Sequence, residues 1–278
     1  MTAFRRRSAI RWASARGLIA VVAVVAAGAT RAEARGADGN FDERTSAHFV
    51  LLQDVAIDHS GGFRGSRRFE QGVLDVLERG YDKLDDYLGL RPLRKIDVVI
   101  YDSAVFDQQF AGRFRFAAAG FYSGVIRIRG ATQVHTGLVR VLNHELLHAA
   151  LDAEAPSVVF PGWLNEGLAE WFEARAVGKR HLNGGEIGAL ERGRRNGRLF
   201  SLVSLSAPSF GNLGPDAARI AYLQSYGMVE FMARQYGERK LREFCRSLVS
   251  TRNLNRSLSR VYRSDLASLE ARFLSELN

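Results

Sequence analysis

Apolar and polar residues follow two different periods along this chain. Residues 46–55 and 95–101 form apolar-rich runs of strand length, and both are bounded by polar or turn-forming positions. Between them, residues 67–88 repeat apolar side chains every three or four positions, which is the spacing of an amphipathic helix. The first hundred residues therefore predict a strand, a long helix and a second strand.

Helical spacing dominates the second half of the chain. Phe121-Tyr122 and residues 125–129 flank Ser123-Gly124, a turn pair that predicts a β-hairpin. Beyond a short helix at 103–109, the pattern predicts helices at 137–151, 163–176, 184–196, 215–236, 241–249, 254–262 and 266–277. Strands first and helices after predict an α+β fold, with a small mixed N-terminal sheet and a mostly helical C-terminal half.

The N-terminus has the pattern of a secretory signal. Five arginines precede a twelve-residue apolar run at 18–29, and Ala32-Glu33-Ala34 fits a cleavage site. The run is shorter than the roughly 20 residues that span a bilayer, although an uncleaved anchor is the alternative. We predict a signal peptide at 1–34, a flexible lead-in at 35–45 and one domain at 46–278, exported to the periplasm or the extracellular space of a bacterium.

The charge distribution and the cysteine content limit which binding partners and which covalent cross-links the chain can have. The net charge of +9 falls to +4 without residues 1–34, and only four of the 39 basic residues are lysines. The arginines are spread along the sequence without a clustered stripe, so nucleic-acid binding is not expected. Cys245 is the only cysteine, which excludes an intramolecular disulfide; its helical pattern predicts a buried apolar role. The oligomeric state is left open, and no stable membrane insertion is expected after signal cleavage.

The candidate chemistry lies in the helix predicted at 137–151, which contains His144-Glu145-Leu146-Leu147-His148. Residues four apart lie on one helix face, so both imidazoles can reach one zinc ion. Glu145 lies one step round the helix, where its carboxylate can accept a proton from an attacking water. The segment predicts metal ligands at His144 and His148 and a general base at Glu145.

A catalytic zinc ion needs a third protein ligand. Glu166 follows His148 after seventeen residues, which is enough chain for a turn at Pro161-Gly162 and a second helix that packs back on the first. Glu170 lies one turn further along the same face. Glu166 is therefore a candidate third ligand, and Glu170 is predicted to accept a ligand imidazole's second N–H group.

Two strings together, His144-Glu145-x-x-His148 and Trp163-Leu164-Asn165-Glu166-Gly167, resemble those of the gluzincin metallopeptidases. That family includes the zinc aminopeptidases and shorter bacterial peptidase-MA-like domains, and the resemblance extends over about residues 120–237. In the family the glutamate of the second string binds zinc. The resemblance therefore implies one Zn²⁺ ion at His144, His148 and Glu166 and a zincin-like fold, with an edge strand beside the zinc helix.

The same resemblance extends to a tyrosine. Aligning Ala221-Tyr222-Leu223-Gln224-Ser225-Tyr226-Gly227 with the aminopeptidases implies that Tyr222 donates a hydrogen bond to the tetrahedral intermediate. Tyr226 lies on the same helix face and is the competing candidate. The acidic residue that binds a free amine in the aminopeptidases has no counterpart in residues 119–124, a departure that favours an endopeptidase or a protein that no longer cleaves peptides.

Residues 125–129 come directly before the zinc helix. In zincin-type peptidases an edge strand there pairs with the extended substrate, which is one interpretation of this run. The alternative is an edge strand whose arginines only discourage aggregation.

These features predict zinc-dependent hydrolysis of peptides or proteins. Two other functions stay open: a non-catalytic zincin-fold binding or assembly module of the cell envelope, and hydrolysis of another amide or ester. Glu145 favours an enzyme, because a zinc scaffold alone has no use for that carboxylate.

Overall fold

The computed structural model describes residues 39–54, 63–113 and 118–277. The predicted signal peptide lies outside these residues, as do residues 35–38 of the predicted lead-in. In the described part of the chain, no helix is both long and apolar enough to span a bilayer.

The first half of the described chain contains the strands of a five-stranded mixed sheet. Its strands are β1 (Phe41–Thr45), β2 (Phe49–Asp54), β3 (Ile96–Tyr101), β4 (Gly120–Tyr122) and β5 (Ile126–Arg129), in the spatial order β1-β2-β3-β5-β4. The central pairs β2–β3 and β3–β5 are parallel, whereas both outer pairs are antiparallel. The predicted hairpin is confirmed: β4 pairs with β5 around a turn where Gly124 has φ +73°.

Two sequence predictions about the sheet are wrong. Phe41–Thr45 forms β1 and is not part of a flexible lead-in, because it pairs along its length with the apolar strand β2. The second arm of the hairpin, β5, is not an edge strand, because it lies between β3 and β4. Within the described residues the sheet edge beside the zinc-helix candidate is β4.

Nine α-helices occur in the described residues, close to where the pattern predicts them. They are α1 (Phe63–Leu88), α2 (Ser103–Gln109), α3 (Thr136–Glu154), α4 (Gly162–Ala176), α5 (Gly184–Arg195), α6 (Pro215–Tyr236), α7 (Glu238–Thr251), α8 (Leu254–Tyr262) and α9 (Leu266–Glu276). A 3₁₀ turn at Ser204–Ser206 interrupts the predicted loop before α6. The observed architecture confirms an α+β fold with a mixed sheet and a mostly helical C-terminal half.

The sheet separates a large core from a small one. Helices α1 and α3 cover one face, and the main core continues from there through α4 and α6 to the C-terminal helices. The opposite face carries a small aromatic cluster under α2 that includes Tyr101, Phe106 and Phe121. Cys245 lies in the main core, and burial raises the pKa of its thiol to about 12, as expected for an apolar filler.

Helix α4 occupies the centre of the main core, between α3 and α6. Every residue from Gly162 to Arg175 is buried, including both tryptophans. The approach to α6 is close at Gly167, where an added Cβ would lie less than 3.0 Å from the main-chain carbonyl of Ser225. Glycine is therefore required at 167 by the space between two helix backbones, and this contact sets the depth at which Glu166 is held.

A Gly167→Ala substitution tests this constraint. We expect the methyl group to push α6 away from α4 and to lower the free energy of unfolding by about 1–3 kcal/mol, the usual cost of overpacking a core. Chemical denaturation monitored by circular dichroism gives the measurement.

The matched control is Gly188→Ala in α5, where the nearest atom to an added Cβ is the end of the flexible Arg192 side chain, at 3.1 Å. Alanine there should leave stability unchanged or raise it by up to about 1 kcal/mol, because glycine is a poor helix former. Equal effects of the two substitutions would contradict the close-approach explanation.

Candidate metal centre

The candidate centre begins with α3, whose start is fixed by His135. The His135 side chain accepts a hydrogen bond from the Leu138 backbone N–H at 3.2 Å and caps the helix, so the helix begins where the sequence predicts. Helical spacing then places His144 and His148 one turn apart on the same face, with ring centroids 4.9 Å apart. Both rings are buried, at 0% and 3% exposure.

Glu166 of α4 lies directly against both imidazoles. Its Oε2 is 3.3 Å from His144 Nε2 and 3.6 Å from His148 Nε2. One donor atom from each of the three residues lies within 4.8 Å of the others. The three residues predicted as ligands therefore converge, and Glu166 points toward the rings.

The remaining ring nitrogens are held by a second set of polar groups. His144 Nδ1 lies 3.2 Å from Glu173 Oε2, and His148 Nδ1 lies 3.1 Å from Asn165 Oδ1. Each acceptor favours the tautomer that carries its proton on Nδ1, which leaves both Nε2 atoms directed at Glu166. The prediction that Glu170 has this role is wrong, because the crossing of α3 and α4 brings the next turn, at Glu173, against His144.

Arg140 of α3 completes this network from the partly exposed side. Its guanidinium donates to Glu173 Oε1, with Nε at 2.9 Å, and lies 3.9 Å from Glu170. Glu170 is buried, and burial together with the Glu173 charge raises its pKa to about 8. Glu173 is thus oriented by the Arg140 guanidinium on one side and by His144 on the other. Glu170 lies farther from the guanidinium, at 3.9 Å.

Glu145 is fully buried beside the three candidate ligands. Neither of its oxygens has a hydrogen bond of normal geometry in the described residues. Burial raises its pKa well above the ordinary value, and the Glu166 charge adds to the shift. A weak hydrogen-bonding interaction with the Tyr122 backbone lowers the pKa, and it places the Glu145 carboxyl group beside β4.

The pKa values of the candidate ligands depend on contacts that these residues make with one another and with Glu173. Burial alone would lower the pKa of His144, but Glu166 and Glu173 outweigh it and raise the pKa well above its usual value. Burial would raise the pKa of Glu166, but its contacts with the two imidazoles lower it instead. Burial lowers the pKa of His148, which favours a neutral ring.

The two candidate tyrosines have different surroundings. Tyr222 is fully buried, and after burial itself the charges of Glu166, Glu170 and Glu145 raise its pKa well above the ordinary value. At Tyr226 the neighbouring charges are instead led by Glu186 and Arg175. The Tyr226 ring lies under Lys179 Nζ at 4.9 Å. Of the two phenols, Tyr222 is therefore the one whose pKa responds to both the candidate ligand Glu166 and the candidate base Glu145.

A zinc ion fits this donor set. Tetrahedral zinc with ligand bonds of about 2.0–2.1 Å requires donor atoms about 3.3–3.4 Å apart. The separations from Glu166 Oε2 to the imidazoles, 3.3 and 3.6 Å, are close to that value. His148 Nε2 and Glu166 Oε1 are buried without a hydrogen-bond partner in the described residues, which is costly unless a cation binds them.

Sequence reasoning missed three members of the centre: Asn165, Glu173 and Arg140. Asn165 immediately precedes the predicted ligand Glu166. Glu173 lies seven residues after Glu166, a spacing that returns to the same helix face. Both signals were present in the sequence, but the choice between Glu170 and Glu173 depends on how α3 crosses α4.

Comparison with known proteins agrees with this geometry. No curated protein matches the chain at a significant level. The family model of the peptidase MA superfamily matches residues 78–278, more than half of the chain, including α3, α4 and α6. That superfamily is typically zinc-dependent and has metallopeptidase-type activity. The chain therefore belongs to the peptidase MA superfamily.

Proposed function

We propose that this protein is a zinc-dependent endopeptidase of the gluzincin type. The observation that carries the proposal is the buried convergence of His144, His148 and Glu166, with the buried Glu145 carboxyl group beside them. This arrangement combines a donor set suited to zinc with a candidate base.

The proposed ligands are His144, His148 and Glu166. A zinc ion held there would supply Lewis acidity, which lowers the pKa of a water molecule and polarises a carbonyl group. Glu173 and Asn165 hold the two imidazoles in orientation through their Nδ1 atoms.

Glu145 would move the protons of the reaction. Its carboxylate accepts a proton from the attacking water and delivers it to the leaving amine of the cleaved peptide. Burial, which raises the pKa of Glu145, makes this carboxylate a stronger base than an exposed one. The proposed role thus matches the surroundings of the residue.

Tyr222 is the proposed donor to the oxyanion. A phenol that stays protonated can donate throughout the reaction, and burial with three nearby carboxyl groups raises the pKa of Tyr222 well above its ordinary range. Tyr226 is less suited, because the charges that act on it are led by Glu186 and Arg175, and Lys179 Nζ lies 4.9 Å from its ring.

Strand β4 is the proposed binding edge for an extended peptide. It ends the sheet in the described residues, contacts α3, and is tied to it by the Tyr122 hydroxyl, which donates to Asp152 at 2.7 Å. Residues 119–124 carry no acidic side chain that could pair with a free N-terminal amine. A peptide bound along this edge need not end there, which supports an endopeptidase.

We also propose that the chain is exported. The support is the sequence of residues 1–34, with its basic start, short apolar run and small-residue cleavage site. The single buried cysteine is compatible with an oxidising compartment, since it offers no accessible thiol.

The first test separates metal binding from catalysis. We expect E145Q to bind one zinc ion and to cleave casein at least about 100-fold more slowly than the wild type, because it lacks the base. H144A and E166A should lose both zinc and activity. Zinc content by atomic emission and casein cleavage, with and without chelator, give the measurements.

The control is E191Q, which removes a carboxylate from α5 outside the centre and should change neither quantity. Wild-type cleavage by E145Q would refute the assignment of the base. A zinc-loaded wild type that cleaves no unstructured protein would instead favour the non-catalytic binding module.

A second test concerns the orientation of His144. We expect E173Q to weaken zinc binding about 10- to 100-fold, because the imidazole loses a charged acceptor at Nδ1. E170Q should change the affinity much less, since Glu170 lies one turn away. Competition with a chromophoric chelator measures both affinities, and a larger loss in E170Q would reverse the assignment.

A third test compares the two tyrosines. We expect Y222F to lower kcat by roughly 100-fold with little change in KM, because an oxyanion donor acts mainly in the transition state. Y226F should stay within a few-fold of the wild type, since it removes a hydroxyl that has no hydrogen-bond partner in the part of the chain that the structure describes. Steady-state kinetics with a fluorogenic peptide distinguishes them, and the opposite ranking would assign the donor to Tyr226.

A further inference from the structure

The helical pair α7–α8 carries a charge imbalance that the rest of the domain lacks. Residues 238–263 contain eight basic and two acidic side chains, a net charge of +6. Residues 35–278 as a whole carry +4, so the remainder of that stretch is −2. The expectation that the arginines are spread without clustering is therefore wrong for this hairpin.

These residues form a groove, here called the arginine groove. It has an open volume of about 480 Å³ and is lined by Arg239, Arg242 and Arg246 of α7 and Arg260 of α8, together with Glu243, Ser247 and Ser250. Ligand pockets in proteins commonly have volumes of about 300–1,000 Å³. The groove is thus large enough for a small ligand.

Three of its arginines have no acidic partner. In the described part of the chain Arg239, Arg246 and Arg260 form no ion pair, whereas Arg242 is bound to Asp85 at 3.1 Å. The groove's only acid, Glu243, is paired with Lys240 at 3.0 Å. Like charges gathered in one groove repel each other, and an anion would relieve that repulsion.

The arginine stems are positioned by close packing on the end of α1. Gly89 has φ +69°, and a Cβ there would lie 2.7 Å from Cγ and Cδ of Arg246 and 3.4 Å from Cγ of Arg242. The absence of a side chain at Gly89 lets both stems lie against the backbone. The guanidinium of Arg246 is therefore held at the groove by its own stem, without an acid to neutralise it.

The geometry points to a ligand with more than one phosphate group. Guanidinium groups bind phosphate through paired N–H groups, and arginine is preferred for that purpose. Arg239 and Arg246 lie seven residues apart on α7, or about 10.5 Å along its axis. We propose that the arginine groove binds clustered phosphates, either of a soluble pyrophosphate-type anion or of anionic lipid headgroups.

The groove lies outside the candidate metal centre, so the proposal is independent of the proposed function. The test uses the full chain and R239Q/R246Q/R260Q, which leaves Arg242 and its contact with Asp85 intact. The matched control, R94Q/R192Q/R198Q, removes the same charge from exposed arginines that form no ion pair in the described residues. Unchanged zinc content and melting temperature verify that each variant folds.

Two arms distinguish the sources of phosphate. Calorimetry with pyrophosphate at constant ionic strength reports the soluble anion, and flotation with phosphatidylglycerol or phosphatidylcholine vesicles reports the headgroup. We expect saturable binding in at least one arm, at least tenfold weaker in the groove variant and unchanged in the control, since a charge-assisted contact contributes about that much.

Three results would overturn the proposal. Binding in neither arm would do so, as would equal losses in the groove variant and the control. Groove-dependent binding of a DNA duplex, without binding of pyrophosphate or vesicles, would replace phosphate clusters with a nucleic acid as the ligand.

Discussion

Burial of four carboxyl groups around two imidazoles is the constraint on which the arrangement of α3, α4 and α6 depends. Each charged group removed from water is costly unless an opposite charge or a hydrogen bond compensates it. The described residues supply part of that compensation through Arg140 and the imidazoles, but they leave Glu145 and one oxygen of Glu166 without a hydrogen bond of normal geometry. A divalent cation bound there would balance negative charge, so the packing that isolates the centre would also favour a metal within it.

The sequence was sufficient for the features that depend on local spacing. The pair His144 and His148 needs only one helical turn, and α3, α4 and α6 lie where apolar spacing predicts them. The sequence alone could not show which turns of the crossing helices α3 and α4 meet. For that reason the contact of Glu173 with His144 was missed. That crossing is made by the packing of α3 on α4, and it joins residues far apart in the chain: His144 and Glu173 are separated by 29 positions.

Strand order was less predictable for a related reason. The alternation of apolar and basic residues in β5 is typical of an edge strand, yet β5 pairs on both sides and Arg127 is buried. Arg127 avoids an uncompensated charge by donating to the backbone carbonyls of Ser123 and Val125 at 3.1 Å and by lying over the Phe121 ring. A charged residue can thus occupy an interior strand when the adjacent turn supplies its acceptors, which periodicity alone does not reveal.

The burial of α4 on all sides also bears on the order in which the molecule assembles. Helices α3 and α4 are joined by a short connection and can dock early, because contacts close in sequence form fastest. A hairpin of these two helices alone would leave the side of α4 that faces Ser225 and Val229 in water until α6 arrives. A chain truncated before α6 would hold the ligand residues close together but exposed, and would be prone to aggregate. Burial of the candidate centre therefore requires α6, and not only the two helices that carry the candidate ligands.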